Sequence, residues 1–123
     1  MTFTGEEMTA IIKMAKLVVM ADGRLDPSET IVMATELIRF GVPQDHLKLL
    51  IESSDEIEES HAVALITGMD EERKKYVASY LAMLMVADGE IDAKELALWK
   101  LISTLCSLPT MSIAQAINNM KNL

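Results

Sequence analysis

Two short segments of the chain carry carboxylates at the same spacing. Residues 21–29 read ADGRLDPSE and residues 87–95 read ADGEIDAKE, so Ala, Asp, Gly, Asp and Glu recur at five of nine positions. Hard cations such as Ca²⁺ and Mg²⁺ prefer several oxygen ligands, which closely spaced carboxylates supply. The sequence therefore predicts a divalent-cation site at each segment. The candidate metal ligands are Asp22, Asp26, Glu29, Asp88, Asp92 and Glu95.

The spacing resembles the second half of an EF-hand loop. Asp22 matches the fifth position of such a loop, Asp26 the ninth and Glu29 the bidentate twelfth, and the second segment matches equally. The first and third positions fall on Val18 and Met20, and their counterparts in the second segment are also apolar. A complete EF-hand is therefore excluded, and an ion bound here would keep water ligands or bind weakly.

Helix capping accounts for much of the same motif without an ion. Asp26 and Asp92 are suited to cap the start of a helix, and Glu29 and Glu95 follow at the third helical position, as in a capping box. Capping does not explain the first aspartate of each segment, Asp22 or Asp88, which we call the leading Asp. A carboxylate at a helix C-terminus faces the negative end of the helix dipole, which is unfavourable. A cation and purely local partners, such as the free N–H groups of the next helix, stay open as alternatives.

The leading Asp of each segment also continues an apolar stripe of the helix before it. Such a stripe faces the core, and a carboxylate that points toward the core needs a partner. The stripes consist of Ile11, Ala15 and Val18 before Asp22, and of Val77, Leu81 and Leu84 before Asp88.

Other chemistry-bearing residues give weaker signals. Glu58 and His61 stand three residues apart, as in di-iron carboxylate proteins, but those proteins need two such pairs, and we interpret this segment as a solvated acidic face. Cys106 is the single cysteine and is best explained as a small apolar residue. No Gly-rich phosphate loop or HExxH motif is present. We predict that the chain is not an enzyme, the distant alternative being a two-metal hydrolase in which both segments converge to about 4 Å.

The segments are predicted to lie at corners between helices. Caps and 3.6-residue apolar spacing predict seven helices and no strand. Two three-helix units, at about 4–54 and 70–120, are joined by a linking helix over 55–67, and together they form one compact all-α domain over 1–123. The predicted helices within the units begin near Thr4, Asp26, Pro43, Asp70, Asp92 and Thr110.

Composition limits the class of partner. Of 123 residues, 11 are Lys or Arg and 19 are Asp or Glu, which gives a net charge of -8 and disfavours nucleic acid and anionic membranes as partners. The longest uncharged stretch, 101–120, is interrupted by Pro109 and polar residues, so membrane insertion is not expected. The N-terminal stretch carries Glu6 and Glu7 where a signal peptide would be basic, and we expect a cytoplasmic protein.

Apolar residues suggest a second possible function, the binding of a partner protein. The chain has 10 methionines, which by default fill a core but could also form an adaptable surface for a partner helix. The last predicted helix has an apolar stripe that is a candidate surface for self-association. The metal-free alternative is therefore a protein partner or a homodimer that binds a Met-rich or acidic surface. The stripe consists of Ile113, Ala116, Ile117 and Met120.

The twice-used ADG-x-φ-D-x-x-E corner, where φ is apolar, resembles the TerB tellurite-resistance family and its TerB-like relatives. The resemblance covers nearly the whole chain and implies a bundle of about seven helices with internal pseudo-two-fold symmetry. It also implies a cytoplasmic bacterial setting, a link to stress or metal-ion responses, and no established enzymatic activity. By this likeness the six corner carboxylates would be the cation-binding positions.

Overall fold

A computed structural model of the chain describes residues 2–21, 27–87, 89 and 91–122. It contains seven α-helices and one 3₁₀ turn, and there is no strand in these ranges, so the predicted all-α fold is confirmed. The helices are α1 Gly5–Val19, α2 Pro27–Arg39, α3 Leu47–Ser53 preceded by the 3₁₀ turn Gln44–His46, α4 Glu59–Thr67, α5 Glu71–Met85, α6 Ala93–Leu105 and α7 Ile113–Lys121.

Side-chain caps fix several helix starts. The Glu7 N–H donates to Thr4 Oγ1 at 3.1 Å, and the Thr4 N–H donates to Glu7 Oε1 at 2.9 Å, which completes the predicted capping box of α1. Asp70 accepts from the Arg73 N–H at the start of α5, as predicted. These bonds satisfy N–H groups that have no partner inside the helix.

Two predicted helix starts are wrong. The linking helix α4 begins at Glu59 instead of residue 55, because residues 54–56 continue as turns after α3 and Glu58 is extended. The last helix α7 begins at Ile113 instead of residue 110, because Ser112 and Gln115 form a capping box three residues further on. The capping box gives α7 a stronger start signal downstream of the predicted one, whereas Glu58 makes no side-chain cap hydrogen bond at the start of α4.

The core is centred on α1 and α5. On α5, ten residues are buried, and Val77, Leu81 and Leu84 are fully inaccessible to solvent. Aromatic rings close one end of this core: Tyr76 lies 5.1 Å from the Phe40 ring and stacks on Tyr80 at 5.8 Å between centroids. Residues 76–82 of α5 are buried in succession, which is expected where neighbouring helices cover every face of a helix.

The two central helices have different companions. α4 packs along α1, and α7 packs along α5. Ala116 and Met120 of α7 are 0% and 8% exposed, so these two residues of the predicted stripe are covered within the chain. Ile113 and Ile117 are partly exposed, and self-association through this helix stays a prediction. The sequence pattern correctly indicated an apolar face on α7, but it did not predict that α5 packs against this face.

Most methionines that were considered for a partner surface lie in the core. Met14, Met33 and Met85 are each 1% exposed, whereas Met20 at the end of α1 is 47% exposed. The default interpretation as core-filling residues is confirmed for these three, and a partner surface formed by other methionines stays a prediction. Within the described ranges, no helix combines the length and the apolar character needed to cross a membrane.

The helices follow the spacing of the repeated motif. α1 begins at residue 5 and α5 at residue 71, and α2 begins at residue 27 and α6 at residue 93, a separation of 66 residues in both cases. The two ADG segments have the same offset in the sequence. Each segment therefore connects a long central helix to the helix that follows it.

Candidate functional site

Residues 21–29 and 87–95, here called the first and second acidic corners, are the two segments with the repeated carboxylates. The second acidic corner connects α5 to α6. Helix α5 ends at Met85, and Gly89 adopts a φ of +86°, a conformation that glycine accepts without steric cost. Asp92 caps α6, and its Oδ1 accepts N–H bonds from Lys94 at 2.8 Å and Glu95 at 3.2 Å. The predicted capping role of Asp92 is confirmed. Both bonds end on one carboxylate oxygen, so Oδ2 lies outside this cap.

The first acidic corner connects α1 to α2. Of its three candidate ligands, Asp22 and Asp26 lie outside the described residues, as does Asp88 of the second corner. Glu29 is described: it stands in the first turn of α2 and is 3% exposed. Glu95 has the same place in α6 and is 4% exposed. The structure therefore gives each corner a buried glutamate in the first turn of its second helix.

The burial of these two glutamates goes beyond what a capping box requires. In α1 and α7 the capping-box side chains Glu7 and Gln115 occupy the same third helical position, and they are partly exposed and exposed, respectively. Glu29 and Glu95 are buried instead, because each lies on the core-facing stripe of its helix. Burial of a carboxylate is unfavourable unless hydrogen bonds or an opposite charge compensate for it.

The apolar stripes that precede the corners are buried as predicted. Ala15 and Val18 are 0% exposed on α1, and Leu81 and Leu84 are 0% exposed on α5. The leading Asp of each corner, which would continue these stripes, lies outside the described residues. In the part of the chain that the structure describes, no group of three or more His, Cys, Asp or Glu is arranged to hold a metal ion.

A third buried carboxylate was not predicted. Glu36 is 8% exposed, and its Oε2 accepts the Tyr76 hydroxyl at 2.5 Å and lies 3.5 Å from Arg39 Nη1. Burial and the neighbouring carboxylate raise the pKa of Tyr76 far above its ordinary value, so the phenol stays protonated and donates a hydrogen bond to Glu36. The signal was present in the sequence, since Glu29, Met33 and Glu36 follow helical spacing on one face of α2.

The weaker candidates behave as the sequence indicated. Cys106 is 0% exposed, and burial raises the pKa of its thiol to about 11, which disfavours the thiolate that a nucleophile needs. Cys106 therefore lacks the environment of a nucleophile. Glu58 and His61 are both exposed, in agreement with a solvated face.

Comparison with known proteins places the chain in a family. The model of the family described as tellurite resistance protein TerB matches residues 7–119, which include both acidic corners and all or part of every helix. The chain belongs to the TerB family. The predicted resemblance is thereby confirmed.

One solved structure is similar to this TerB domain over nearly its full length. It is the crystal structure of a protein of unknown function, PG1108, from Porphyromonas gingivalis W83, which is 66% identical in sequence. The alignment covers 99% of this chain and 92% of that chain, with a TM-score of 0.87. No curated protein matches the chain. The comparisons thus assign the family and the fold, and the activity has to be argued from the residues.

Proposed function

We propose that this TerB domain is a non-enzymatic binding module that holds one divalent cation, Ca²⁺ or Mg²⁺, at each of its two acidic corners. The observation that carries the proposal is the burial of Glu29 and Glu95, at 3% and 4% exposure, in the same helical position at both corners. A glutamate that only completes a cap has no need to leave solvent, as Glu7 and Gln115 illustrate. The family description, tellurite resistance, supports a bacterial stress context.

The donor set fits a hard cation. Each corner has two aspartates and one glutamate within a short stretch of sequence, and carboxylate oxygens are the ligands that Ca²⁺ and Mg²⁺ prefer. In the second corner, Asp92 would share its carboxylate between the cap, through Oδ1, and the ion, through Oδ2 or a bridging water. Glu95 would be the bidentate ligand. Asp88 would be the ligand whose carboxylate helix capping explains least, because it follows a helix C-terminus.

Calorimetry tests the proposal. EDTA-treated protein is titrated with Ca²⁺ and then with Mg²⁺, and the Asp22→Asn, Asp88→Asn double variant is titrated in parallel. The expected result is saturable binding of about two ions per chain that disappears in the variant, because each site loses a charged ligand. The matched control is Asp45→Asn, Glu59→Gln, which removes the same charge from two exposed surface positions and should bind like the wild type.

The competing function is a metal-free interaction module that uses an acidic surface. This alternative predicts that titration with millimolar Ca²⁺ or Mg²⁺ gives no saturable heat of binding. It also predicts that the double variant and its control give the same titration curve. In that case the corner carboxylates would act only as helix caps and local hydrogen-bond acceptors.

A further inference from the structure

An open apolar groove runs along the surface between the start of α1 and the start of α4. Its volume is about 580 Å³, and its walls come from the first turns of α1, the connection after α2, helix α3 and the residues before α4. Leu49 stands at its edge with 63% exposure. The apolar wall residues are Met8, Phe40, Val42, Leu50 and Ile57.

The groove exists because α3 covers α1 incompletely. Helix α3 has seven residues and none of them is buried, and Leu47, Leu50 and Ile51 are only partly covered by the core. The other long face of α1 is taken by α4. Apolar side chains of α1 and α3 are therefore left at the surface.

The shape of the groove suits an elongated occupant. Pockets for small molecules enclose most of the ligand surface, whereas here Leu49, His46 and His61 all line the space and are themselves exposed. A helix that inserts apolar residues at i, i+3, i+4 and i+7 needs only such a trough, open on one side.

The surroundings of the groove are strongly acidic. Residues 40–61 supply three of its walls and contain six acidic residues and one lysine, and all six acidic side chains are exposed. The lysine, Lys48, lies 3.9 Å from Glu52, and Lys16 of α1 lies 2.9 Å from Asp55. Glu6 is the acidic residue among those that line the groove, and the six other carboxylates belong to the segments that supply its walls. Together they form an acidic rim that outnumbers these two lysines, so this part of the surface attracts positive charge and repels anionic surfaces.

From the apolar walls and the acidic rim together, we infer that this groove binds an amphipathic helix of a partner protein, one that carries Lys or Arg on both sides of its apolar face. Leucine-sized anchors would contact Met8, Phe40 and Leu50, and the basic residues would face Glu6 and the carboxylates of residues 45–59. The inference does not depend on cation binding at the acidic corners, which involves other residues.

A designed peptide tests the inference. The probe is a 16-residue helix of Leu and Lys with leucines at helical spacing, and its matched control has Glu in place of every Lys. Titration into ¹⁵N-labelled protein should shift the amide resonances of residues 5–9 and 40–61 with the Lys peptide and leave them unchanged with the Glu peptide. Binding should weaken as salt is raised, because exposed charges are screened.

Two leucine variants separate groove binding from general attraction to an acidic protein. Leu49→Ser removes the exposed groove leucine and should weaken the Lys peptide about tenfold, as loss of one buried leucine contact predicts. Leu101→Ser removes a leucine of α6 with 54% exposure that does not line the groove, and affinity should stay unchanged. Both positions are exposed, so both variants should keep the wild-type melting temperature.

Three results would overturn the inference. The first is no shift with the Lys peptide at millimolar concentration, and the second is equal weakening by the two serine substitutions. The third is a dimer in sedimentation that Leu49→Ser dissociates, because a second copy of the chain would then be the occupant. A corner variant that loses cation binding should still bind the peptide, which keeps the two proposals separate.

Discussion

The two halves of the molecule use similar helices but complete their packing differently. α7 lies along α5, buries Ala116 and Met120, and is tied to it by a hydrogen bond from Asn119 Nδ2 to Ser79 Oγ at 3.1 Å. In the first half, α4 packs along α1, and the third helix, α3, buries no side chain completely. The comparison shows that the same apolar pattern on a helix can lie in the core or at the surface, depending on whether another helix packs against it.

The largest predicted effect contrasts the third helices of the two halves. Met120→Ala in α7 should lower the free energy of unfolding by about 2 kcal/mol, because a buried methionine leaves a cavity. Leu49→Ala in α3 should lower it by less than about 0.5 kcal/mol, because Leu49 is 63% exposed. Urea unfolding of both variants measures these values. Equal losses would contradict the contrast between a core helix and a surface helix.

The next effect concerns the attachment of α3 to α1. Lys16 Nζ donates to the Ile51 carbonyl at 2.7 Å and to Asp55 Oδ1 at 2.9 Å. Lys16→Met should lower the free energy of unfolding by about 1–2 kcal/mol, since a charged donor to a partly buried carbonyl is lost. Lys48→Met is the control, because Lys48 is 88% exposed, and it should change stability by less than about 0.5 kcal/mol. If both variants unfold at the same urea concentration, Lys16 does not hold α3 in place.

Residues 41 and 107 follow the second helix of each half, and both have a left-handed backbone. Gly41 has a φ of +89° and Ser107 a φ of +55°. Ser107→Gly should stabilise the protein by about 0.5–1 kcal/mol, because glycine adopts this conformation without a Cβ clash. Gly41→Ser should destabilise it by about 1 kcal/mol. Thermal unfolding of the two single variants checks the signs, and a stabilising Gly41→Ser would refute the comparison.

The smallest effect concerns Cys106, whose counterpart in the first half is Phe40, 66 residues earlier. Burial raises the pKa of the folded thiol from an ordinary 9.0 to about 11. The thiol therefore binds its proton more tightly in the folded state, and its contribution is complete below pH 8 and declines as the pH rises from 9 to 11. The stability of the wild type relative to Cys106→Ala should fall by roughly 0.5 kcal/mol between pH 7 and pH 9. A difference that grows with pH would contradict this sign.

The sequence predicted the helices well because the decisive signals are local. Thr4 with Glu7, Asp70 and Asp92 each mark a helix start within three residues, and the structure places a helix at each. The pairing of helices was less predictable. The sequence pattern of α7 does not indicate that α5 covers Met120, and the pattern of α1 does not indicate that α4 packs against it. The groove beside α3 follows from that pairing and for this reason was not foreseen.

The sequence indicated Glu29 and Glu95 as candidate ligands, and their burial was missed although the spacing contained it. The repeated motif indicated Glu29 and Glu95, and their place on a core-facing stripe could be read from the spacing to Met33 and Trp99. Glu36 was missed although it lies on the same stripe as Glu29, because it belongs neither to the repeated motif nor to a Glu–His pair. The account of Asp22, Asp26 and Asp88 as ligands stays a prediction, since these residues lie outside the described part of the chain.

The central claim is that each half of the molecule holds its own cation, and titration calorimetry of single-corner variants tests it most directly. Asp22→Asn and Asp88→Asn are made separately and titrated with Ca²⁺ after EDTA treatment. The account predicts that each variant keeps one of two sites, with the remaining affinity unchanged. Loss of both ions in either variant would indicate one shared site, and a full set of two ions in both variants, or none in the wild type, would contradict cation binding at the corners.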